Sequence, residues 1–517
     1  LFWVKALVAV CSLWAIVYGL YLINQHILHS FLSSADEHSC YFLAECLRRG
    51  KLFVDLPVFS DFFKVAHVGM KGGKWFSVYP PGWPLIWALG LEFKIVDWLN
   101  PVMSALSVYF FYLSGKRLFG RAATLLGLTL ACLNPFFMFT AASYFSHATC
   151  LLCISIFLYA FLRWREAYEA EGQACLPAGR DPVGWAVLCA FAVGYGLMTR
   201  YLTMAAVAGP FLLYHYLPIF FDWRGFGKGS WGWIPFTLKR PRLRGSDWIV
   251  IGVIAIFMVM ILWQNYLVTG KPFKAPNKYD KSWERLGFRK DYTIIDALFY
   301  LVSRIFYLMG WFAPAIVGAY LLLIFNLRHL RGVGGNHTSE VLKRLFCLTP
   351  VFIAVAYFFY YSWGGNQWGP RYLWEGLPFL CIAVAHGMVH LWRERGMRVR
   401  KFLLVFVIAS LASSAVLFVK HAEFTEEASR QRRALYDYSE QAIQGPAIVF
   451  MRGFIGDRLV MAEEDTVRNG PFLDGRILYA HDLGERNQEL TAAYPGREYF
   501  RGTYDRATQR AVLERFA

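Results

Sequence analysis

Two acids stand side by side at Asp36-Glu37, inside the run Ala35-Asp36-Glu37-His38-Ser39-Cys40-Tyr41, just beyond the first apolar stretch. Ser34 followed by Glu37 fits a capping box, which puts both acids in the first turn of a helix. The helix dipole favours ionised acids there, so Asp36 is expected to be a carboxylate at neutral pH. A carboxylate beside a groove can orient an attacking hydroxyl or accept its proton. The same spacing also serves plain capping. Four further clusters could join these acids. Tyr79-Pro80-Pro81-Gly82-Trp83-Pro84 makes a rigid turn that cannot continue a helix. His147 ends Tyr144-Phe145-Ser146-His147 and suits metal or substrate binding, or a plain interfacial place; with Asp36 it makes a candidate metal pair. Arg200 follows Met198-Thr199, and Arg371 lies in Gly369-Pro370-Arg371-Tyr372, with Glu375 and Pro378 after it. A guanidinium binds phosphate through two parallel hydrogen bonds, so Arg200 and Arg371 are candidate phosphate ligands, with snorkelling to lipid headgroups as the other use.

The elements that must position these groups follow from composition. Of 517 residues, 57% are hydrophobic and 18% aromatic, and the mean hydropathy is +0.36. A water-soluble chain of this length needs more polar surface. Stretches such as Phe2–Asn24, Tyr201–Phe221, Trp248–Leu267 and Phe402–Val419 approach the ~20 residues that cross a bilayer. The first, with no cleavage pattern before it, is expected to be a retained helix. The net charge of +17 is uneven: residues 421–517 hold 13 Arg, no Lys and 16 acids, leaving 40 basic and 20 acidic residues before them. That basic excess sits in short loops between apolar stretches, which is the positive-inside pattern and not a nucleic-acid footprint, so no nucleic-acid partner is expected. The ten cysteines all precede residue 421, mostly inside apolar stretches, and no structural disulfide is expected.

With a cytoplasmic N-terminus, hydropathy predicts about eleven spans: 2–24, 102–115, 122–140, 148–162, 183–199, 201–221, 247–268, 305–327, 345–361, 373–391 and 402–419. The basic loops 116–121, 163–181, 222–247, 328–344 and 393–401 then all face the cytoplasm. Counting Tyr79–Trp98 as a span would flip every later loop, so it reads as an interfacial or re-entrant helix. One outer loop, Thr269–Ile294, breaks the rule with Lys271, Lys274, Lys278, Lys281, Arg285, Arg289 and Lys290. Such a loop suits an anionic lipid headgroup, whether a substrate or ordinary phospholipid. The expected fold class is mainly α: a polytopic membrane bundle over 1–420, with an outer-face loop and juxtamembrane helices over 25–101. A small α/β domain over 421–517 lies outside, with a helix at 425–444 and strands at 447–450 and 476–480.

In order along the chain, several motifs resemble the GT-C superfamily, especially bacterial members related to protein O-mannosyltransferases and to the lipid A aminoarabinose transferase. They are Asp36-Glu37 with Tyr41, Tyr79-Pro80-Pro81-Gly82, Lys116-Arg117-Leu118-Phe119-Gly120, Thr199-Arg200, Asn265-Tyr266 with Thr269-Gly270-Lys271-Pro272, and Gly369-Pro370-Arg371-Tyr372. The resemblance implies a glycosyltransferase of the bacterial inner membrane, with its site on the periplasmic face. Its reaction would be an inverting transfer from a polyprenyl-phosphate sugar to a hydroxyl on a glycan, lipid or protein. Asp36 matches the catalytic acid and Glu37 its acidic neighbour. Arg200, Arg371, Tyr372, Lys271, Lys274 and Lys278 would hold the lipid phosphate, and Tyr41, Tyr79 and His147 would line the substrate groove. Two departures bear on the donor sugar and leave divalent metal open as a cofactor: Tyr79 stands where the aminoarabinose transferases have a lysine, and His147 where they place a second acid. A transporter or flippase of lipid-linked sugar or solute is the competing expectation. Against it, the polar residues gather at outer helix ends rather than at the midplane, and no internal repeat is visible.

Overall fold

A helix that is apolar on every face must be covered by lipid or by other helices. The first 420 residues are used in this way in the computed structural model, which describes residues 2–170, 182–222, 237–238, 243–279, 285–325, 337–364, 368–451, 467–505 and 507–516. The loop residues 171–181, 223–236, 239–242 and 326–336, together with Lys281, lie outside the described residues.

Helix α1 (Phe2–His26) leads through a loop to α2 (Ala35–Arg48). Strands β1 (Val54–Asp55), β2 (Val68–Lys71) and β3 (Lys74–Ser77) then form an antiparallel sheet in the order β1-β3-β2. Helix α3 (Gly82–Phe93) begins at the Pro81-Gly82 turn and stops at Lys94, which takes a left-handed backbone. Its 12 residues extend about 18 Å, short of a hydrocarbon core ~30 Å thick. Next come α4 (Val96–Leu118), α5 (Arg121–Cys132) and α6 (Pro135–Ala142). The expected span 122–140 is therefore broken. Asn134 accepts a hydrogen bond from the Phe136 amide at 2.9 Å, Pro135 starts a new helix, and α6 is bent 67° from α5.

Helix α7 (His147–Ala170) packs against α8 (Pro182–Phe220). The latter is continuous only in its numbering, because Arg200 has non-helical angles of φ −144° and ψ 80°. Trp185 meets Tyr159 at 5.6 Å, and His215 meets Trp164 at 4.3 Å. On a straight helix positions 185 and 215 would lie about 45 Å apart, yet both pack on neighbouring turns of α7. The chain thus reverses at Arg200, between the two spans expected at 183–199 and 201–221.

After the short pair β4 (Phe221–Asp222) and β5 (Thr237–Leu238) come α9 (Gly245–Thr269), β6 (Arg285–Leu286), α10 (Ile294–Trp311) and α11 (Pro314–Phe325). Pro314 divides the expected span 305–327, since a proline supplies no amide to continue the ladder. Helix α12 (His337–Phe358) precedes β7 (Tyr360–Tyr361), which pairs with β6. A single turn at Arg371–Gly376 leads into α13 (Leu377–Glu394) and α14 (Met397–Ala442). Among the described residues eight helices are long and apolar enough to cross a membrane, or nine if α5 and α6 count as one. The expected eleven spans are not confirmed.

The tail folds as expected into strands at β8 (Ala447–Met451) and β9 (Ile477–His481), with α15 (Asn487–Ala493), β10 (Glu498–Asp505) and β11 (Arg510–Arg515). The sheet order is β11-β10-β8-β9, with β8 parallel to both neighbours and β11 antiparallel to β10. The helix expected at 425–444 is the far half of α14, continuous with the last span. Leu435, Phe450 and Tyr479 share one apolar cluster with Phe42, Phe62, Phe63 and Trp75, so the tail packs directly on the segment that carries α2.

Close helix packing depends on Gly127, where a Cβ would lie 2.5 Å from the Ile382 Cα on α13. Gly127→Ala should separate α5 from α13 and destabilise the bundle by about 1–3 kcal/mol. Thermal unfolding of the purified protein in detergent checks this as a lower midpoint.

Candidate active site

The start of α2 is set by reciprocal capping. Ser34 Oγ accepts from the Glu37 amide at 3.2 Å, while Glu37 Oε2 accepts from the Ser33 and Ser34 amides at 2.5 and 3.1 Å. Glu37 Oε1 takes a third amide, that of Tyr144, at 2.8 Å. Glu37 is therefore a buried structural acid tying α2 to the turn before α7. It does not line the neighbouring cleft. Burial pushes its carboxyl up to about 7, against the pull of the Tyr144 and Ser33 amides.

Asp36, one residue earlier, points the other way. Arg371 Nη1 donates to its Oδ2 at 3.0 Å, and the Tyr79 hydroxyl donates to its Oδ1. Burial opposes ionisation, but the Arg371 guanidinium, His67 and the Tyr79 hydroxyl together hold the carboxyl well below the ordinary carboxylate range. Asp36 forms part of the wall of an open cleft with Tyr79, Arg200, Arg371, Tyr357 and Tyr372. Its carboxylate thus faces a cavity that two guanidiniums share.

Each cation is anchored from behind. Arg200, at the reversal of α8, has Nε 3.0 Å from Glu375 Oε1 and donates through Nη2 to the Tyr357 hydroxyl at 3.1 Å. Glu375 is fully buried and also meets His147 Nδ1 at 3.0 Å. The Arg371 side chain lies over the Phe145 ring, 4.6 Å from its centroid, and its buried Nε has no acceptor among the described residues. Tyr372 stacks on Tyr357 at 4.3 Å and donates to Ser362 Oγ at 3.0 Å. Beneath it, buried Arg304 donates to three carbonyls, those of Tyr357, Ser362 and Trp363, and so fixes the 357–363 segment. Gly82 supports the reversal from α3: a Cβ there would lie 2.4 Å from Thr199 Oγ1, and the Tyr195 hydroxyl donates to the Gly82 carbonyl at 2.7 Å.

The cleft brings together Asp36, Tyr79, Arg200, Arg371 and Tyr372 from four distant parts of the sequence. Other candidates lie elsewhere. His147 is buried against Glu375 and is not in the cleft wall that holds Asp36. Among the described residues no three His, Cys, Asp or Glu side chains are grouped to hold a metal ion. The donor set at Asp36 also fits a cation poorly, because both carboxylate oxygens are engaged and two guanidiniums share the wall. Tyr41 packs against Trp87 at 6.2 Å and is not in the wall. Lys271 and Lys278 are exposed and Lys274 lies over the Tyr279 ring; their loop reaches the cleft through Asn277 instead. Tyr357 and Arg304 are the contributors that sequence reasoning did not place, and Glu375, noted beside Arg371, was given no role there. A lone arginine within the apolar run Ile294–Trp311 was the available pointer to Arg304.

Set beside solved structures, the chain superposes over nearly its whole length on ArnT. ArnT from Cupriavidus metallidurans bound to undecaprenyl phosphate matches with a TM-score of 0.57 and 13% identity, over 95% of this chain and 93% of that one. Its apo form gives 0.55 and 13% identity over 98% of both chains. The chain has an ArnT-like fold. The archaeal oligosaccharyltransferase AglB from Archaeoglobus fulgidus gives a TM-score of 0.45 at 10% identity, over 86% of this chain and 62% of that one. Residues 447–516 match DUF7846, a domain of unknown function. A search of curated proteins gives no match. The ArnT-like fold covers both the bundle and the tail, the two parts that meet at α2.

The raised carboxyl of Glu37 has a stability consequence. Because its folded value of about 7 lies above the ordinary 4.5, the folded chain holds a proton that the unfolded chain releases between those values. This contribution is full below pH 4.5 and is lost as the pH rises through about 7. Relative to Glu37→Gln, the native chain should therefore lose about 3 kcal/mol between pH 4.5 and 8. Paired unfolding curves across that range test it.

Proposed function

We propose that this protein is an inverting glycosyltransferase that moves a sugar from a polyprenyl-phosphate carrier to an acceptor hydroxyl. Its site would lie on the periplasmic face of a bacterial inner membrane, with the tail on the same side. The observation that carries this is the Asp36 carboxylate held 3.0 Å from Arg371 on the wall of a cleft shared with Arg200. The ArnT-like fold supports it, since an ArnT structure holds undecaprenyl phosphate.

The chemistry follows from the charges. Arg200 and Arg371 bind the donor phosphate through guanidinium hydrogen bonds and offset the negative charge that grows on it. The acceptor oxygen bonds to the anomeric carbon from the face opposite the phosphate. The bond from that carbon to the phosphate oxygen breaks, and polyprenyl phosphate leaves with the electron pair. The acceptor proton passes to Asp36. An Asp36 carboxylate paired with Arg371 is a weak base. Phosphate that takes over part of the Arg371 hydrogen bonding leaves Asp36 more basic, so donor binding prepares the proton acceptor. Tyr79 holds the second carboxylate oxygen and so sets the direction of the first.

Asp36→Asn should reduce transfer at least ~100-fold while retaining donor binding. Purified protein in nanodiscs, given radiolabelled polyprenyl-phosphate sugars and membrane extract as acceptor, reads both quantities. Near-normal turnover by the variant would rule out Asp36 in this role. Tyr79→Phe should cost less, about tenfold, because the carboxylate keeps its Arg371 partner.

A further inference from the structure

The loop between α1 and α2, residues 27–34, ends at the cap residue Ser34, two positions before Asp36. His29 and Ser30 take left-handed angles, φ 54° and 49°, conformations that non-glycine residues keep only where neighbours impose them. The imposing neighbours come from the far end of the chain. Arg433 Nη1 donates to the His29 carbonyl at 2.5 Å, Arg468 Nη1 to the Leu32 carbonyl, and Arg432 Nη1 to the Ser33 carbonyl. Arg468 also lies over the Phe31 ring at 4.1 Å, and His29 Nε2 meets Glu426 Oε1 at 3.2 Å. On its other edge the same loop gives the Ser33 and Ser34 amides to Glu37. The loop is thus gripped on its carbonyls by tail arginines and on its amides by the helix it starts. None of these arginines lines the cleft.

We infer that Arg432, Arg433 and Arg468 are positioning residues, and that the tail braces the 27–34 loop so that α2 begins where Asp36 can reach the cleft. The inference rests on the transferase reading, in which Asp36 acts on the acceptor. The tail then contributes to turnover without touching substrate, and DUF7846, which contains Arg468, has a task in this chain. The guanidiniums suit it because each fixes a carbonyl direction from a planar fork, and the charges of Arg432 and Arg468 act on Glu37. A displacement of about 1 Å at a reacting group can cost up to ~100-fold in rate, so a loosened loop need not unfold the protein to be felt.

The test is Arg432→Ala/Arg468→Ala in the full chain in nanodiscs, beside Arg432→Lys/Arg468→Lys. The alanine pair should lower kcat about tenfold with KM for the polyprenyl-phosphate sugar within about twofold. Hydrogen exchange should quicken at the amides of 33–38 and stay unchanged at 82–93 and 377–391. The lysine pair, which keeps one N–H donor per site, should restore most of kcat. Unchanged exchange at 33–38, a native kcat in the alanine pair, a loss carried by KM, or no rescue by lysine would each overturn the brace. A native chain that transfers no sugar would instead overturn the transferase reading, and the exchange data would still decide whether the arginines hold the loop.

Discussion

Asp36 and Arg371 lie 335 residues apart in sequence and 3.0 Å apart in space, and nearly every element of the bundle helps to keep them there. A carboxylate 19% exposed and a guanidinium 10% exposed are unfavourable singly, because each has lost most of its water. Together they are stable only if both backbones are held, which requires α2 to start at a defined point and the 371–376 turn to be backed. Glu37 and Ser34 meet the first requirement. The second is met by the Arg371 amide, which donates to the Gly364 carbonyl at 2.9 Å, and by Arg304 below that segment. Arg200 repeats the arrangement with Glu375. The wall of the cleft is a set of charges, each neutralised on the protein side and open to the cleft on the other.

Such a site explains two irregularities in the helices. A regular helix through Arg200 would carry its guanidinium away from Glu375. The reversal there spends one residue in extended geometry and brings α8 back along α7. The break at Asn134-Pro135 likewise sets α6 at an angle, so that the Ser143–Phe145 segment passes beside Asn100, whose side chain donates to the Ser143 and Phe145 carbonyls.

Much of this was legible in the residues. Asp36, Tyr79, Arg200 and Arg371 stood out because charged or rigid groups beside apolar stretches are unfavourable without a use, and the structure gathers them. The capping box at Ser34 and Glu37 and the strands at 447–450 and 476–480 were readable from local chemistry alone. What escaped was what depends on direction. Sequence spacing shows that His147 is near the membrane edge, not that its ring turns towards Glu375. It shows seven cations in 269–294, not that Asn277 is the residue of that loop that turns inward. Span counting failed for a similar reason: apolar runs such as 122–140 and 305–327 contain Asn134-Pro135 and Pro314, and hydropathy averages over the bends they produce.

Helix α14 runs 46 residues from Met397 to Ala442 with neither glycine nor proline, about 69 Å of unbroken rod. Its near half is apolar and its far half carries Arg432 and Arg433, two of the three arginines that hold the 27–34 loop. There is no hinge along it, so the sheet cannot swing while the bilayer end stays still. A change of tilt that suits a thicker or thinner membrane must move the far end as well. Bilayer thickness is thereby a mechanical input to the position of the 27–34 loop and of the helix that carries Asp36.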